Sequence, residues 1–445
     1  MNIADNRTRN RILMVLFLGV LMGALDIAIV APALPAVRDY FQVDDRALAW
    51  VFTVYVLFNL VGTPLMAKLS DMFGRRPIYL ADVTMFGLGS LLVAVSPGFS
   101  LLLVGRAIQG LGAGGIFPVA SAVIGDTFPP EKRGSALGLI GAVFGIAFLI
   151  GPIIGGIVLA LAGWQWLFVI NIPIALAIIL LSLRLLPVTR PEVRRPFDYA
   201  GMVTLGVSLA ALTYGVNQIN TEAFFASLTS LAVWPFLLIA VIFLAFFWRI
   251  ERAAADPILR TGLFRSRQIR ILAGVALGAG LGEAAVVFVP SLLVHAFAIS
   301  ESRASVMLLP AVLAMAVGSP TAGRMLDRYG SKVVVLLALV LLSAGMLLVG
   351  VVPVTYASFY VVAVLVGLGL GMLLGAPLRY IMLNEAPLAD RAAGQGALTL
   401  FTSTGQLVGG AVVGAVAASL GGGVRGYQSA YLAVSVVAII LLVVA

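Results

Sequence analysis

Apolar runs close to the ~20 residues needed to cross a bilayer recur fourteen times along the chain, at 12–34, 48–67, 77–96, 99–124, 134–161, 165–186, 199–218, 230–248, 271–297, 303–322, 333–352, 356–380, 392–420 and 427–445. Lipid offers backbone N–H and C=O groups no partner, so each run must satisfy its own hydrogen bonds as a helix. The apolar–polar alternation of a membrane β-barrel is missing. A soluble domain is excluded by a composition of 61% hydrophobic and 11% charged residues. The fold class is therefore an all-α polytopic membrane protein with fourteen transmembrane helices.

The net charge of +9 invites a nucleic-acid reading, but its distribution argues for membrane orientation. With the N-terminus cytoplasmic, Arg38, Arg46, Arg303 and Arg425 fall outside and Arg106 falls within a span. The remaining lysines and arginines, among them Arg75, Arg76, Arg194, Arg195, Arg265 and Lys332, sit at cytoplasmic ends or loops. Both termini are expected in the cytoplasm. Arg7, Arg9 and Arg11 resemble a signal-peptide n-region, yet the following run has no small-residue cleavage site and reads as a retained helix. No cysteine and a single histidine leave no thiol chemistry and no metal centre, and no cofactor is expected.

The chain repeats itself. KLSDMFGRRP (68–77) between the second and third spans is echoed by RMLDRYGSKV (324–333) between the tenth and eleventh. QGLGAG (109–114) is echoed by VGLGLG (366–371), and GPIIGG (151–156) by GQLVGG (405–410). Two six-helix units are expected, at 1–186 and 271–445, with spans seven and eight inserted in the region 187–270 and flanked by Arg-rich stretches at 187–198 and 249–270. Parallel repeats of this kind describe transporters built around a central site.

Charges inside spans are costly and mark functional sites. Asp26 and Arg106 both lie ~10–12 Å below the outer boundary at 1.5 Å per residue, a depth that permits a pair. One reading is a protonatable carboxylate whose affinity for a proton depends on Arg106; the alternative is a static ion pair locking two spans. Glu283 is either a second proton site or counter-charge for a cationic substrate, or a neutral carboxyl bonded to a neighbouring helix. Asp82 is expected in a local salt bridge with the Arg75/Arg76 region, and His295 at the membrane interface. The loop residues Asp71, Gly74, Arg75 and Arg76, duplicated at Asp327, Gly330 and Lys332, form a tight turn in which the Asp can cap a neighbouring helix and act as a latch. The glycine row 134, 138, 141, 145, 151 and 155 suits close packing, and Pro152 within it suggests a hinge or gate together with Gly151, Gly155 and Gly156. GLGAGG lacks the Lys-Ser/Thr of a phosphate loop and sits within a span, which rules that reading out. Candidate cavity residues are Tyr55, Asn59, Gln109, Phe144, Asn171 and the polar run Thr402, Ser403, Thr404 and Gln406.

With these motifs the chain resembles the major facilitator superfamily over nearly its full length, and within it the fourteen-helix drug:proton antiporters. The loop motif maps onto Leu69, Ser70, Asp71, Gly74, Arg75 and Arg76, with Ala67 and Met72 departing from the usual Gly and Arg. The fourth-span motif maps onto Arg106, Gln109, Gly110 and Gly112. The fifth-span signature maps onto Gly138, Gly151, Pro152, Gly155 and Gly156, with Ala147 at a usual glycine, and the first-span motif onto Leu25, Asp26, Ala33, Leu34 and Pro35. The resemblance implies the major facilitator fold, alternating access and export driven by proton entry, without fixing the substrate. A mostly apolar cavity with one or two carboxylates suits a small lipophilic substrate, cationic ones included, and a monomer in the cell membrane is expected. Asp26, Arg106 and Glu283 would then be the proton-coupling residues. A lipid or metabolite transporter on the same scaffold is the alternative. A membrane enzyme and a non-transporting receptor lack support in the sequence.

Overall fold

The computed structural model describes residues 5–188, 196–221 and 223–445. Arg194 and Arg195, and the side chain of Arg46, lie outside the described residues. Among the described residues there are fourteen helical spans long and apolar enough to cross a membrane and no β-strand. Their principal helices are α1 (Asn6–Phe41), α2 (Trp50–Phe73), α3 (Arg75–Ala94), α4 (Phe99–Thr127), α5 (Pro130–Leu161), α6 (Asn171–Leu185) and α7 (Tyr199–Asn217). They continue with α8 (Trp234–Ala253), α9 (Arg267–Val287), α10 (Leu309–Tyr329), α11 (Ser331–Val351), α12 (Tyr356–Gly375), α13 (Arg391–Ser419) and α14 (Gly423–Val444).

The helix ends follow local chemistry. The Asp5 carboxylate accepts the Arg7 N–H at 3.2 Å to start α1, Pro130 opens α5, and Thr355 with Ser358 forms a reciprocal cap on α12. Of the spans that the sequence presents as continuous, the sixth is interrupted after a short helix at Trp166–Val169, and three others are interrupted beside a proline. Helix resumes after α9 at Val289–Phe297, starts before α10 at Glu301–Met307, and resumes after α12 at Pro377–Glu385. Each of these three interruptions sits just before a proline (Pro290, Pro310, Pro377), whose missing N–H removes a rung of the helical ladder. Gly74 (φ 99°) and Gly330 (φ 80°) turn α2 into α3 and α10 into α11, at angles that L side chains rarely adopt.

The chain forms two compact units. One comprises Met1–Pro129, Val143–Phe197 and Ala386–Ala397; the other comprises Pro130–Ala142, Asp198–Glu385 and Leu398–Ala445. In the first, α4 packs against two neighbours through alternate glycines. A methyl group on Gly114 would meet Asn59 O of α2 at 2.6 Å, and one on Gly112 would meet Phe86 N of α3 at 2.8 Å. The echoed glycines of α12 do the same in the second unit. Gly371 faces Met315 of α10 (Cα at 2.6 Å) and Gly369 faces Leu342 of α11 (N at 2.7 Å). The duplicated glycine string is thus a duplicated two-sided packing face, since only a missing Cβ allows backbones this close. The inserted α7 and α8 pack chiefly on one another, with Ser208 Oγ of α7 donating to Ala240 O of α8 at 2.8 Å.

Candidate functional site

Within the first unit, five helices converge on one polar cluster. Arg106 of α4 donates from Nη1 to Asp26 Oδ2 of α1 at 2.7 Å and from Nε to the Val51 carbonyl of α2 at 3.0 Å. Gln109, one turn along α4, accepts from Arg106 Nη1 at 2.7 Å and donates from Nε2 to Asp26 Oδ1 at 2.7 Å. Asn171 of α6 donates to the same Oδ1 at 3.1 Å. Ser90 Oγ of α3 accepts from Gln109 at 2.8 Å and from Asn171 at 3.3 Å. The guanidinium carbon lies 4.2 Å from the centre of the Tyr55 ring in a cation–π contact, and Nη2 has no hydrogen-bond acceptor among the described residues.

Asp26, Arg106, Gln109 and Ser90 are all 0% exposed. Taking two charges out of water is unfavourable, and their mutual attraction offsets that cost only with good geometry and additional hydrogen bonds. Asp26 meets this condition with three donors on its two oxygens. Gly151 of α5 packs onto Ala28 of α1, close to Asp26. Gly151 and Gly155 are buried, whereas Pro152 and Gly156 are exposed.

The structure brings Asp26 and Arg106 together as their depths suggest. It places Gln109, Asn171 and Tyr55 in the cluster rather than along open space. Asn59 is half-buried, and Phe144 packs on Phe117 with ring centres 5.3 Å apart. Thr402, Ser403, Thr404 and Gln406 lie on α13, half-buried or exposed. Ser90 and the Val51 carbonyl went unremarked in the sequence; a lone serine in an apolar run was the one signal available.

Asp71 and Asp327 act as helix caps. The Asp71 carboxylate accepts the Ala392 and Ala393 N–H groups at 3.2 and 2.7 Å, at the start of α13. It also pairs with Arg75, whose Nε donates to Asp126 at 2.9 Å; Arg391 holds the other Asp126 oxygen at 2.8 Å. Asp327 accepts the Gly134 and Ser135 N–H groups at 2.9 and 2.8 Å, at the start of α5, together with the Ser135 hydroxyl. Anionic caps at helix N-termini satisfy orphan donors and complement the helix dipole. Arg76 donates to the Leu183 carbonyl.

One expectation is corrected. Asp82 is not in a salt bridge with Arg75 or Arg76: it is 0% exposed and neither carboxylate oxygen has a hydrogen-bond partner among the described residues. Seven residues of helix put it ~10 Å from Arg75, whose guanidinium is taken by Asp71 and Asp126, and its carboxyl lies against Gly115 of α4 instead. Glu283 is half-buried in α9, with no hydrogen bond or ion pair among the described residues. His295 lies 2.7 Å from the Ser291 carbonyl through Nδ1 and is exposed, as an interfacial residue would be.

Comparison with known proteins fits this architecture. The family model described as Major Facilitator Superfamily matches residues 16–264 and 271–445. The "Uncharacterized MFS-type transporter YfiU" of Bacillus subtilis (strain 168) is 35% identical over 394 residues, 87% of this chain and 76% of the relative. "Multidrug resistance protein 3" of the same organism is 32% identical over 334 residues, 75% of this chain, which spans only 64% of that relative's length. "Multidrug resistance protein Stp" of Mycobacterium tuberculosis (strain CDC 1551 / Oshkosh) is 29% identical over 421 residues, covering 93% and 77%. The crystal structure of the human organic anion transporter MFSD10 (TETRAN) matches in fold, with a TM-score of 0.71 at 19% identity, covering 99% of this chain and 100% of that one. Fourteen spans, two echoed packing faces and two echoed caps fall within the match to both halves, and the chain belongs to the Major Facilitator Superfamily of membrane transporters.

Proposed function

We propose that the chain is a proton-coupled exporter of small lipophilic compounds, cationic ones included, working by alternating access in the cell membrane with both termini in the cytoplasm. The observation that carries this reading is the sealed Asp26–Arg106–Gln109–Asn171 cluster. A charge pair this deeply buried is an expensive way to hold helices together, and its one carboxylate accepts hydrogen bonds from Arg106, Gln109 and Asn171 alike. A proton entering at Asp26 releases Arg106 and Gln109; loss of that proton restores the cluster. Glu283, unengaged within the second unit, offers a second acidic site or counter-charge for a cation.

The caps supply the conformational half of the cycle. Asp71 and Asp327 each bind backbone N–H groups that would be left orphaned on release, so capped and uncapped states are discrete. The multidrug names of the relatives support a lipophilic cargo, and the lysine and arginine distribution supports the orientation.

Reconstitution tests the reading. Proteoliposomes under an imposed pH gradient should accumulate a fluorescent lipophilic cation, and Asp26→Asn should abolish the gradient-driven accumulation while the protein remains folded. Full accumulation in Asp26→Asn would rule out Asp26 as the coupling acid. Absence of accumulation in both proteins would rule out the proposed cargo.

A further inference from the structure

The turn that carries α8 into α9 is folded, tightly pinned and one-sided in charge. The 3₁₀ segment Thr261–Arg265 lies between the two helices. Phe264 within it packs on Trp248 of α8 at 5.7 Å and on Phe401 of α13 at 5.9 Å, and Arg252 stacks over Trp248 at 5.7 Å. Both acidic residues of the 249–270 stretch are turned inward, Glu251 being 2% and Asp256 3% exposed. The Glu251 carboxylate is occupied by the Ile258 and Leu259 N–H groups at 3.1 and 3.2 Å.

Five of the six arginines in this stretch do the opposite, Arg260 being half-buried. Arg249, Arg252, Arg265, Arg267 and Arg270 are exposed, and none makes an ion pair among the described residues. Spacing places Arg249 with Arg252, and Arg267 with Arg270, on common faces of their helices. The exposed Glu385 accepts the Ser266 hydroxyl at 3.2 Å rather than pairing with one of these arginines. All five cations stand where two apolar spans end.

We propose that this turn is a binding site for an anionic phospholipid headgroup. A guanidinium offers forked donors that match phosphate oxygens, and a basic cluster beside a membrane span is the footprint expected for anionic lipid. Burying both acids removes competing internal anions, and the tilted aromatic contact of Trp248 and Phe264 holds the site in shape. The site gives the inserted α7–α8 pair a role: α8 delivers half of a lipid anchor adjoining the second repeat.

The test uses the full-length protein in a non-ionic detergent, with thermal unfolding followed as phosphatidylglycerol or phosphatidylcholine of identical acyl chains is added. Phosphatidylglycerol should raise the midpoint and phosphatidylcholine should not, with the rise shrinking as salt increases. The triple variant Arg252→Gln, Arg265→Gln, Arg270→Gln should need roughly tenfold or more phosphatidylglycerol for the same rise. The corresponding lysine variant should retain much of it, and Arg7→Gln with Arg11→Gln should retain all of it. Equal responses to the two lipids, or an unchanged response in the glutamine variant, would overturn the proposal. So would reproduction of the full rise by inorganic phosphate, which would make the site one for free anions.

Discussion

Asp26 and Glu283 each lie in the first helix of a repeat, and the two repeats treat their carboxylates in opposite ways. Asp26 has three donors on its oxygens and no exposure. Glu283 is half-buried and has no partner among the described residues. The duplicated glycine string explains the difference at the level of residues. Aligning QGLGAG with VGLGLG sets Val366 opposite Gln109 and Ala363 opposite Arg106. The second repeat has the packing face and lacks the groups that would clamp an acid. A duplicated scaffold thus holds one carboxylate in a fixed network and leaves the other available.

The largest expected effect breaks that contrast at its charged end. Arg106→Met leaves Asp26 buried without its cation and should cost about 3–5 kcal/mol, while Glu283→Gln should stay within about 0.5 kcal/mol of wild type. Thermal unfolding of the purified protein measures both, and comparable losses would show that Glu283 is as deeply engaged as Asp26. Next come the caps, where the same asymmetry recurs: Asp71 binds two N–H groups and Arg75, Asp327 two N–H groups and a hydroxyl. Asp71→Ala should cost about 2–3 kcal/mol and Asp327→Ala about 1–2 kcal/mol; the reverse order in unfolding midpoints would show that Arg75 adds nothing to the cap. The smallest effect sharpens the view of the cluster itself. Asn171→Ala removes one of the three donors on Asp26 and should cost about 1 kcal/mol, and no change in midpoint would mean that Arg106 and Gln109 alone hold the acid.

The spans, the repeat and the Asp26–Arg106 pairing were legible in the sequence because each rests on a period or a cost that composition cannot hide. A 20-residue apolar run has one solution in lipid, and two buried charges at equal depth seek each other. Ser90 and the Val51 carbonyl were not legible in that way. A serine in an apolar helix usually bonds its own preceding turn, as Ser121 does to Phe117 O at 2.9 Å, and nothing in one sequence marks the exception. Asn171 and Gln109 were recognised as polar groups worth noticing, but whether an amide faces an acid or a cavity depends on helix rotation. Asp82 is close to Arg75 and Arg76 along the chain but not in space, because seven residues of helix carry it away from them. The breaks before Pro290, Pro310 and Pro377 depend on packing too, since Pro64, Pro118 and Pro152 lie inside unbroken helices.

The α7–α8 pair also bears on how such a chain could have been assembled. Its two helices satisfy each other more than they satisfy either repeat, and together they cross the membrane an even number of times. A single added span would have turned the second repeat over and exchanged the sides on which its loops and charges lie. A pair is neutral in parity: it can be gained or lost between duplicated halves while every later segment keeps its face to the same compartment.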